Sequence, residues 1–480
     1  MSKFRSLFGT QDMTVGSPTS CLLKFAIPLL IGNVAQQLYN TVDSIVVGKY
    51  IGDSALAAVG AAGPILNLLL SLFMGVSTGA GIIVAQYFGA KNRDGLSKAI
   101  GNVLFLTMCV TVLVMVLGSV VTVPLLKLMS TPEGAVLDGA SSYLIIYFLG
   151  FVGCAVYNMG SGMLRGMGDS VMPLAYLIIC CILNIGLDIL LIVLMKNVAA
   201  VAIATVIAQL VSSVLVIIRL MRMKESFDFG VKYMKPIKSL CLNVIKIGLP
   251  SGLTQAIFSC SALVVQSLIN SFGQTVIATN TVIMRVDGFA MMPNFSFGMA
   301  MTTYVGQNVG ANKQDRVKSA ARYGMSIALI IVAVMVALIM IFCDNLMGIF
   351  TNTQEVIDLG STMLRMLGAG YLLCTVMQIL QGTMRGAGDT MSPMFISILS
   401  TVIIRVPLAY ILKAAFANLD NFTLFGTNLG ANSPALCIFL SMLISWFCGA
   451  IITFLFFKLG GWRKKAEKAG QQMGAQLQDN

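Results

Sequence analysis

Apolar stretches of roughly 20 residues, the length a helix needs to cross hydrocarbon, recur from one end of this chain to the other. Of its 480 residues 57% are hydrophobic and 10% charged, with a mean hydropathy of +0.88, a balance that no soluble domain tolerates over such a length. The first stretch, from about Leu22, is too long for a cleavable signal peptide, is not closed by a small-residue cleavage site, and is followed by further spans. Twelve helical spans are expected, near 22–48, 55–87, 96–122, 138–163, 171–195, 198–220, 242–270, 275–305, 319–343, 356–384, 392–416 and 431–457. The longest must tilt or protrude.

The net charge of +12 suggests nucleic acid, but its distribution argues against that partner, because the basic residues lie in short loops between spans. Taking both termini and the even-numbered connections as one side, that side holds 24 of the 31 basic residues. The other side holds Lys49, Lys127, Lys196, Arg365 and Lys413, while Arg285 and Arg405 fall inside spans. Both termini are therefore expected to be cytoplasmic. A lobe of six spans (1–218), a basic linker (219–246), a second lobe (247–458) and a basic tail (459–480) follow. The tail, with Arg463, Lys464 and Lys465, is expected either to rest against anionic headgroups or to be a solvated stop signal. The 11 cysteines lie almost all within spans, without CxxC and in a chain without histidine, and read as small buried apolar residues.

The halves repeat. VAQYFGA at Val84–Ala90 matches VGQNVGA at Val305–Ala311, RGMGDSVMP at Arg165–Pro173 matches RGAGDTMSP at Arg385–Pro393, and KFAIP at Lys24–Pro28 matches KIGLP at Lys246–Pro250. Six spans per repeat is an even number, so the lobes have the same orientation, related by an axis along the membrane normal, with a cleft between them. In the Arg-Gly-x-Gly-Asp element, glycine permits a tight turn, Asp169 or Asp389 caps the next helix, and proline suits its first turn. Arg165 and Arg385 are expected to hold carbonyl ends or lipid phosphate, with direct substrate contact the alternative, and Gln86 and Gln307 to brace helix ends rather than touch cargo.

Three aspartates, Asp43, Asp188 and Asp287, lie inside spans of a chain with no histidine. A carboxylate in hydrocarbon is costly and therefore a functional candidate. Asn184 and Asp188 are spaced i,i+4 and share a helix face. If the first and fifth helices pack together, Asp43 completes a carboxylate pair with an amide, with Thr205 and Asn158 as further oxygen donors. Two close carboxylates resist double ionisation, so the pair suits a proton; the same oxygens suit a sodium ion. The alternatives are a helix-end role for Asp43, beside Gly48 and Lys49, and a helix-gluing role for Asn184. Asp287 either pairs with Arg405 or faces a drug cavity, and Arg285, two residues away, cannot face it on a regular helix. Met291, Met292, Met299 and Met301, beside Pro293, suit a promiscuous cavity or ordinary packing.

Together these residues resemble the multidrug and toxic compound extrusion (MATE) family. The signatures are NTVDSIVVGKYIGDSALAAVG (Asn40–Gly60, with Asp43), NIGLDILLI (Asn184–Ile192) and the duplicated elements, in a twelve-span context. The resemblance implies an all-α, V-shaped membrane protein of two six-helix lobes with a central cleft. It also implies a cation site, for a proton or sodium, at Asp43, Asn184 and Asp188. The seventh span, SGLTQAIFSCSALVVQSLINSFG from Ser251, has no acid, so the C-lobe cation site of other branches is not expected. The expected function is efflux of organic cations or amphipathic drugs by a monomer in the inner or plasma membrane, with no cofactor beyond the coupling ion. The rivals are a lipid-linked precursor flippase, which needs a cationic cavity, and a membrane enzyme, for which no metal cluster or nucleophile motif is present.

Overall fold

The computed structural model describes residues 10–50, 53–129, 131–417, 422–425, 427–428 and 430–478; the side chains of 39–50, 53–56, 427–428, 430–431 and 474–478 are outside that description. Every expected span falls on a helix. The first three are α1 (Pro18–Tyr50), α2 (Asp53–Gly89) and α3 (Arg93–Leu128). The fourth is a pair, α4 (Ala135–Leu149) and α5 (Phe151–Gly166), bent by 54°. Gly150 and Gly153 sit at this bend because Val206 and the backbone of Leu210 occupy the space a Cβ would need. Then come α6 (Val171–Met195), α7 (Ala199–Arg222), α8 (Lys238–Asn270), α9 (Gln274–Gly310), α10 (Gln314–Ile341), the short α11 (Cys343–Gly348) and α12 (Gln354–Gly386). The eleventh span is α13 (Met391–Ser397), a π-helical turn (Ile398–Ile404) and α14 (Arg405–Ala415); the twelfth is α15 (Leu436–Leu459).

Among the described residues ten helices, and the bent pair as an eleventh span, are long and apolar enough to cross a membrane. The expected eighth span, α9, is not among them, although it has 37 residues. Its sequence carries Arg285, Asp287, Asn294 and a run of threonines, and from Pro293 to Gly310 nearly every residue is buried by neighbouring helices. A helix shielded by protein can be polar, because its partners are side chains and not lipid.

The duplicated elements build matching local structure. Lys91 (φ 57) and Asn312 (φ 53) end α2 and α9 in the left-handed conformation at equivalent positions. Gly168 (φ 83) and Gly388 (φ 85) make the turns that only glycine adopts without strain. Asp169 accepts the amide of Met172 at 3.0 Å and Asp389 that of Ser392 at 3.3 Å, so both aspartates cap the following helix. Asp169 is also held by Arg219 at 2.8 Å and Asp389 by Lys465 at 2.7 Å.

That last ion pair ties the tail to the second lobe. Residues Gly461–Gln478 form a helix, α16, docked on the end of α9. Trp462 is fully buried, stacks on Phe457 at 4.9 Å and donates its indole N–H to the Phe457 carbonyl at 2.9 Å. Lys465 reaches a carboxylate of the same chain, while Arg463 and Lys464 are exposed.

The two lobes meet along α2 and α8. Gly75 and Gly79 face Gly252 and Gly248, so each helix presents a glycine pair four residues apart and the backbones touch. A Cβ at Gly79 would overlap the Gly248 backbone, whereas one at Gly60 would meet nothing within 4 Å. Gly79→Leu is therefore expected to cost roughly 3 kcal/mol or more, as overpacking against rigid backbone does. Thermal unfolding in detergent should show a lowered midpoint for Gly79→Leu and little change for Gly60→Leu.

Candidate functional site

The N-lobe site is carried by α6. This helix shows aliphatic side chains outward: Ile182, Ile189, Leu190, Val193 and Leu194 are all exposed. Its only buried residues are Pro173, Asn184, Asp188 and Ile192. The last three form a single stripe at i, i+4 and i+8, so both polar side chains of the span lie on the one face that lipid cannot reach. Asp188 is 0% and Asn184 1% exposed.

Helix α7, rich in alanine and serine, packs closely enough for Asn184 to donate to the Thr205 hydroxyl at 3.2 Å; Thr205 in turn donates to the Val201 carbonyl at 3.0 Å. With its NH2 turned to Thr205, Asn184 keeps its carbonyl oxygen for another partner. Thr205 is thus brought to Asn184 from a different helix. Asn158 stands half-buried on α5, donates to the Cys154 carbonyl at 2.9 Å, and its own carbonyl accepts Ser77 at 2.6 Å. Helix α1 packs against both α6 and α9, and so runs between the Asp188 and Asp287 helices. Asp43 belongs to α1, but its side chain lies outside the described residues.

The C-lobe acid is placed differently. Asp287, Tyr371 and Arg405, from α9, α12 and α14, lie within electrostatic reach of one another. The expected Asp287–Arg405 ion pair is not formed: no nitrogen of Arg405 comes within 4.0 Å of the carboxylate. Asp287 Oδ1, Tyr371 Oη and Arg405 Nε are each buried and none has a partner at full hydrogen-bond geometry, although the Tyr371 hydroxyl stands near enough to interact with the Asp287 carboxylate. Arg405 begins α14, directly after the π-helical turn Ile398–Ile404. Ser261 and Ser445 donate to the Thr401 and Ser400 carbonyls at 3.1 and 2.8 Å within that turn. One helical turn or two beyond Asp287, Asn294 donates to the Tyr371 carbonyl at 3.3 Å and accepts from Thr375 at 2.8 Å. Arg285 is exposed and takes no part in this cluster. Of the four methionines around Pro293 on α9, Met292 and Met301 are buried core and Met299 lines a small cavity between the lobes.

A family model, MatE, matches residues 28–190 and again 250–411. The chain belongs to the MatE family. The double match falls on the two repeats, one per lobe. The chain is 31% identical over 412 residues to the probable multidrug resistance protein YoeA of Bacillus subtilis, covering 84% of this chain and 89% of that protein. It is 25% identical over 450 residues to the probable multidrug resistance protein NorM of Thermotoga maritima, covering 93% of both. A solved structure described as the outward-facing conformation of a multidrug resistance MATE family transporter of the MOP superfamily superposes with a TM-score of 0.84 at 24% identity, over 94% of this chain and 98% of that one. The chain is thus a multi-pass, two-lobe membrane protein of the MATE fold.

Within this MATE fold the repeated glutamines lock the lobes reciprocally. Gln86 of the first repeat donates to the Gly386 carbonyl at 3.3 Å, and Gln307 of the second donates to the Gly166 carbonyl at 3.0 Å. A Cβ at Gly89 would sit on the Gln307 carbonyl and one at Gly310 on that of Gln86, so both glycines are needed for the approach. The lock lies at the face that carries both described chain ends. Residues 11–16 strap across it. Gln11 donates to the Gly168 carbonyl at 3.2 Å, and Met13 donates its amide to Gln307 at 2.8 Å. The Met13 carbonyl accepts Asn308 and Arg316, and the Thr14 carbonyl accepts Lys313 at 2.7 Å. Sequence reasoning missed this strap. Its only local signal is Asp12, which accepts the amide of Thr14 at 2.9 Å and sets a turn.

Thr205→Val keeps the shape and removes the hydroxyl that Asn184 uses. It should cost about 1–3 kcal/mol, the penalty of a buried amide left without its partner. If Asn184 belongs to an ion site, the variant should also lose several-fold in the ion concentration that raises the melting temperature. Thermal melts at a series of sodium concentrations and pH values check both.

Proposed function

We propose that this protein is a cation-coupled multidrug efflux antiporter working by alternating access between its two lobes. The observation that carries the reading is the buried stripe of α6, where Asn184 and Asp188 sit on the only shielded face of a helix otherwise given to lipid. Burying a carboxylate there costs free energy that packing alone would not require, since an aliphatic residue fits the same face. A cation arriving at the site offsets that cost. A proton needs only Asp188 and its neighbours. A sodium ion takes oxygens, and Asp188, the side-chain carbonyl of Asn184 and the Thr205 hydroxyl offer three of them, with Asp43 of α1 as the expected fourth and Asn158 on the neighbouring α5.

In this reading the face with both chain ends is cytoplasmic, as the lysine and arginine bias requires, and the Gln86–Gln307 lock is the cytoplasmic gate. Cation binding drives the exchange only by favouring one orientation over the other. The names of the relatives, multidrug resistance proteins, support organic cations or amphipathic drugs as cargo. The protein works as a monomer in the inner or plasma membrane, without a resident cofactor and without enzymatic chemistry.

Asp188→Asn keeps the shape and the hydrogen-bonding capacity and removes the charge. At matched protein level in vesicles, gradient-driven efflux of a fluorescent organic cation should fall by about tenfold or more, because the ion no longer distinguishes the two orientations. Collapsing the proton and sodium gradients separately in the wild type identifies the coupling ion. Wild-type efflux in Asp188→Asn would remove the basis of the assignment.

A further inference from the structure

Arg165 and Arg385 occupy equivalent places in the two repeats, and neither holds the carbonyl end of its helix. Each immediately precedes the glycine, Gly166 or Gly386, whose carbonyl is held by the glutamine of the opposite lobe. Both therefore flank the interlobe lock. Neither caps a helix carbonyl. Arg385 donates to the side chain of Gln378 at 3.3 Å, and Arg165 makes no hydrogen bond or ion pair among the described residues.

The carboxylates that might neutralise them are committed elsewhere. Asp169, four residues after Arg165, is held by Arg219; Asp389, four after Arg385, is held by Lys465. Each Arg-Gly-x-Gly-Asp turn thus keeps one positive charge in excess at the seam. Arg165 also lines the small cavity between the lobes, with Ser77, Thr78, Thr302 and Thr303. The hydroxyls of Ser77, Thr78 and Thr302 already donate to backbone carbonyls, so they turn lone pairs to that cavity. Lone pairs solvate a guanidinium and repel an anion, which argues against a site for phosphate or carboxylate.

We propose that Arg165 and Arg385 form a cation barrier at the closed end of the interlobe cleft. The proposal rests on the reading of the protein as a cation-coupled antiporter. In such a protein the cleft admits protons or sodium ions from outside to the N-lobe site, and any ion that slips through the closed gate discharges the gradient without exporting cargo. Two like charges flanking the interlobe lock oppose that passage, as fixed positive charges do in other cation-excluding pores.

The test is passive leak in vesicles containing purified protein and no drug, read with a trapped pH dye, a trapped sodium dye and an iodide-quenched dye. Arg165→Gln with Arg385→Gln should raise proton or sodium leak on the order of tenfold over wild type, the scale of removing unit charges near a barrier. Iodide leak should stay at the wild-type level. Arg165→Lys with Arg385→Lys keeps the charge and should stay tight. Should the double glutamine variant not fold, each single glutamine variant should still leak several-fold faster than its lysine counterpart. Cation leak at the wild-type level in the glutamine variants overturns the proposal; so does equal leak in lysine and glutamine variants, or a parallel rise in iodide leak, which would mean a loosened gate and not a lost charge. None of these readings requires drug export, so a wild type that fails to couple efflux to either ion removes the antiporter reading and leaves the leak comparison standing.

Discussion

Hydrocarbon offers no hydrogen bond, and nearly everything in this structure follows from that one fact. Helices satisfy their own backbones, but polar side chains need partners that only other helices can bring. Helix α6 obeys the rule with a single stripe, placing Asn184 and Asp188 inward and aliphatic side chains outward. Helix α9 obeys it by being enclosed, and so carries Asn294, Thr302, Thr303, Gln307 and Asn308 without exposing them. The rule is strained at two places: at a buried carboxylate in one lobe, and in the other at three buried polar atoms of Asp287, Tyr371 and Arg405.

Glycine performs the complementary task of bringing backbones together. The Gly75–Gly79 and Gly248–Gly252 pairs close α2 on α8, and Gly89 and Gly310 bring each lobe's helix end onto the other's glutamine carbonyl. Close approach turns weak contacts into a cooperative seam, because many atoms meet at once. Such a seam has two discrete arrangements, closed or parted, and little in between, which is what alternation between two orientations demands. The reciprocal glutamine bonds are few and neutral, so parting them leaves no stranded charge.

Much of this was legible from the residues. Continuous apolar runs located the lipid-facing spans because such helices must be apolar along their length, whereas α9, the expected eighth, is enclosed by protein and more polar. Duplication was legible because seam elements such as VAQYFGA and VGQNVGA face the same contact from opposite sides and so keep the same residue types. The capping roles of Asp169 and Asp389 were legible because a cap is local, three residues from its donor. The pairing of Asp389 with Lys465, 76 residues on, was not, because no local spacing links them.

The sequence by itself determined the helices, their number, the repeat that relates the lobes, and the face that Asn184 and Asp188 share. All of these depend on neighbours within a few residues or on a pattern that length alone reveals. Tertiary structure alone decided that Thr205 meets Asn184, that Arg405 forms no ion pair with Asp287, that residues 11–16 strap the seam, and that Asp169 and Asp389 are spent on partners other than Arg165 and Arg385. The reason is geometric. A polar group in a membrane must find a partner, but which one it finds depends on how helices far apart in the chain are rotated and offset against each other, and no local spacing encodes that.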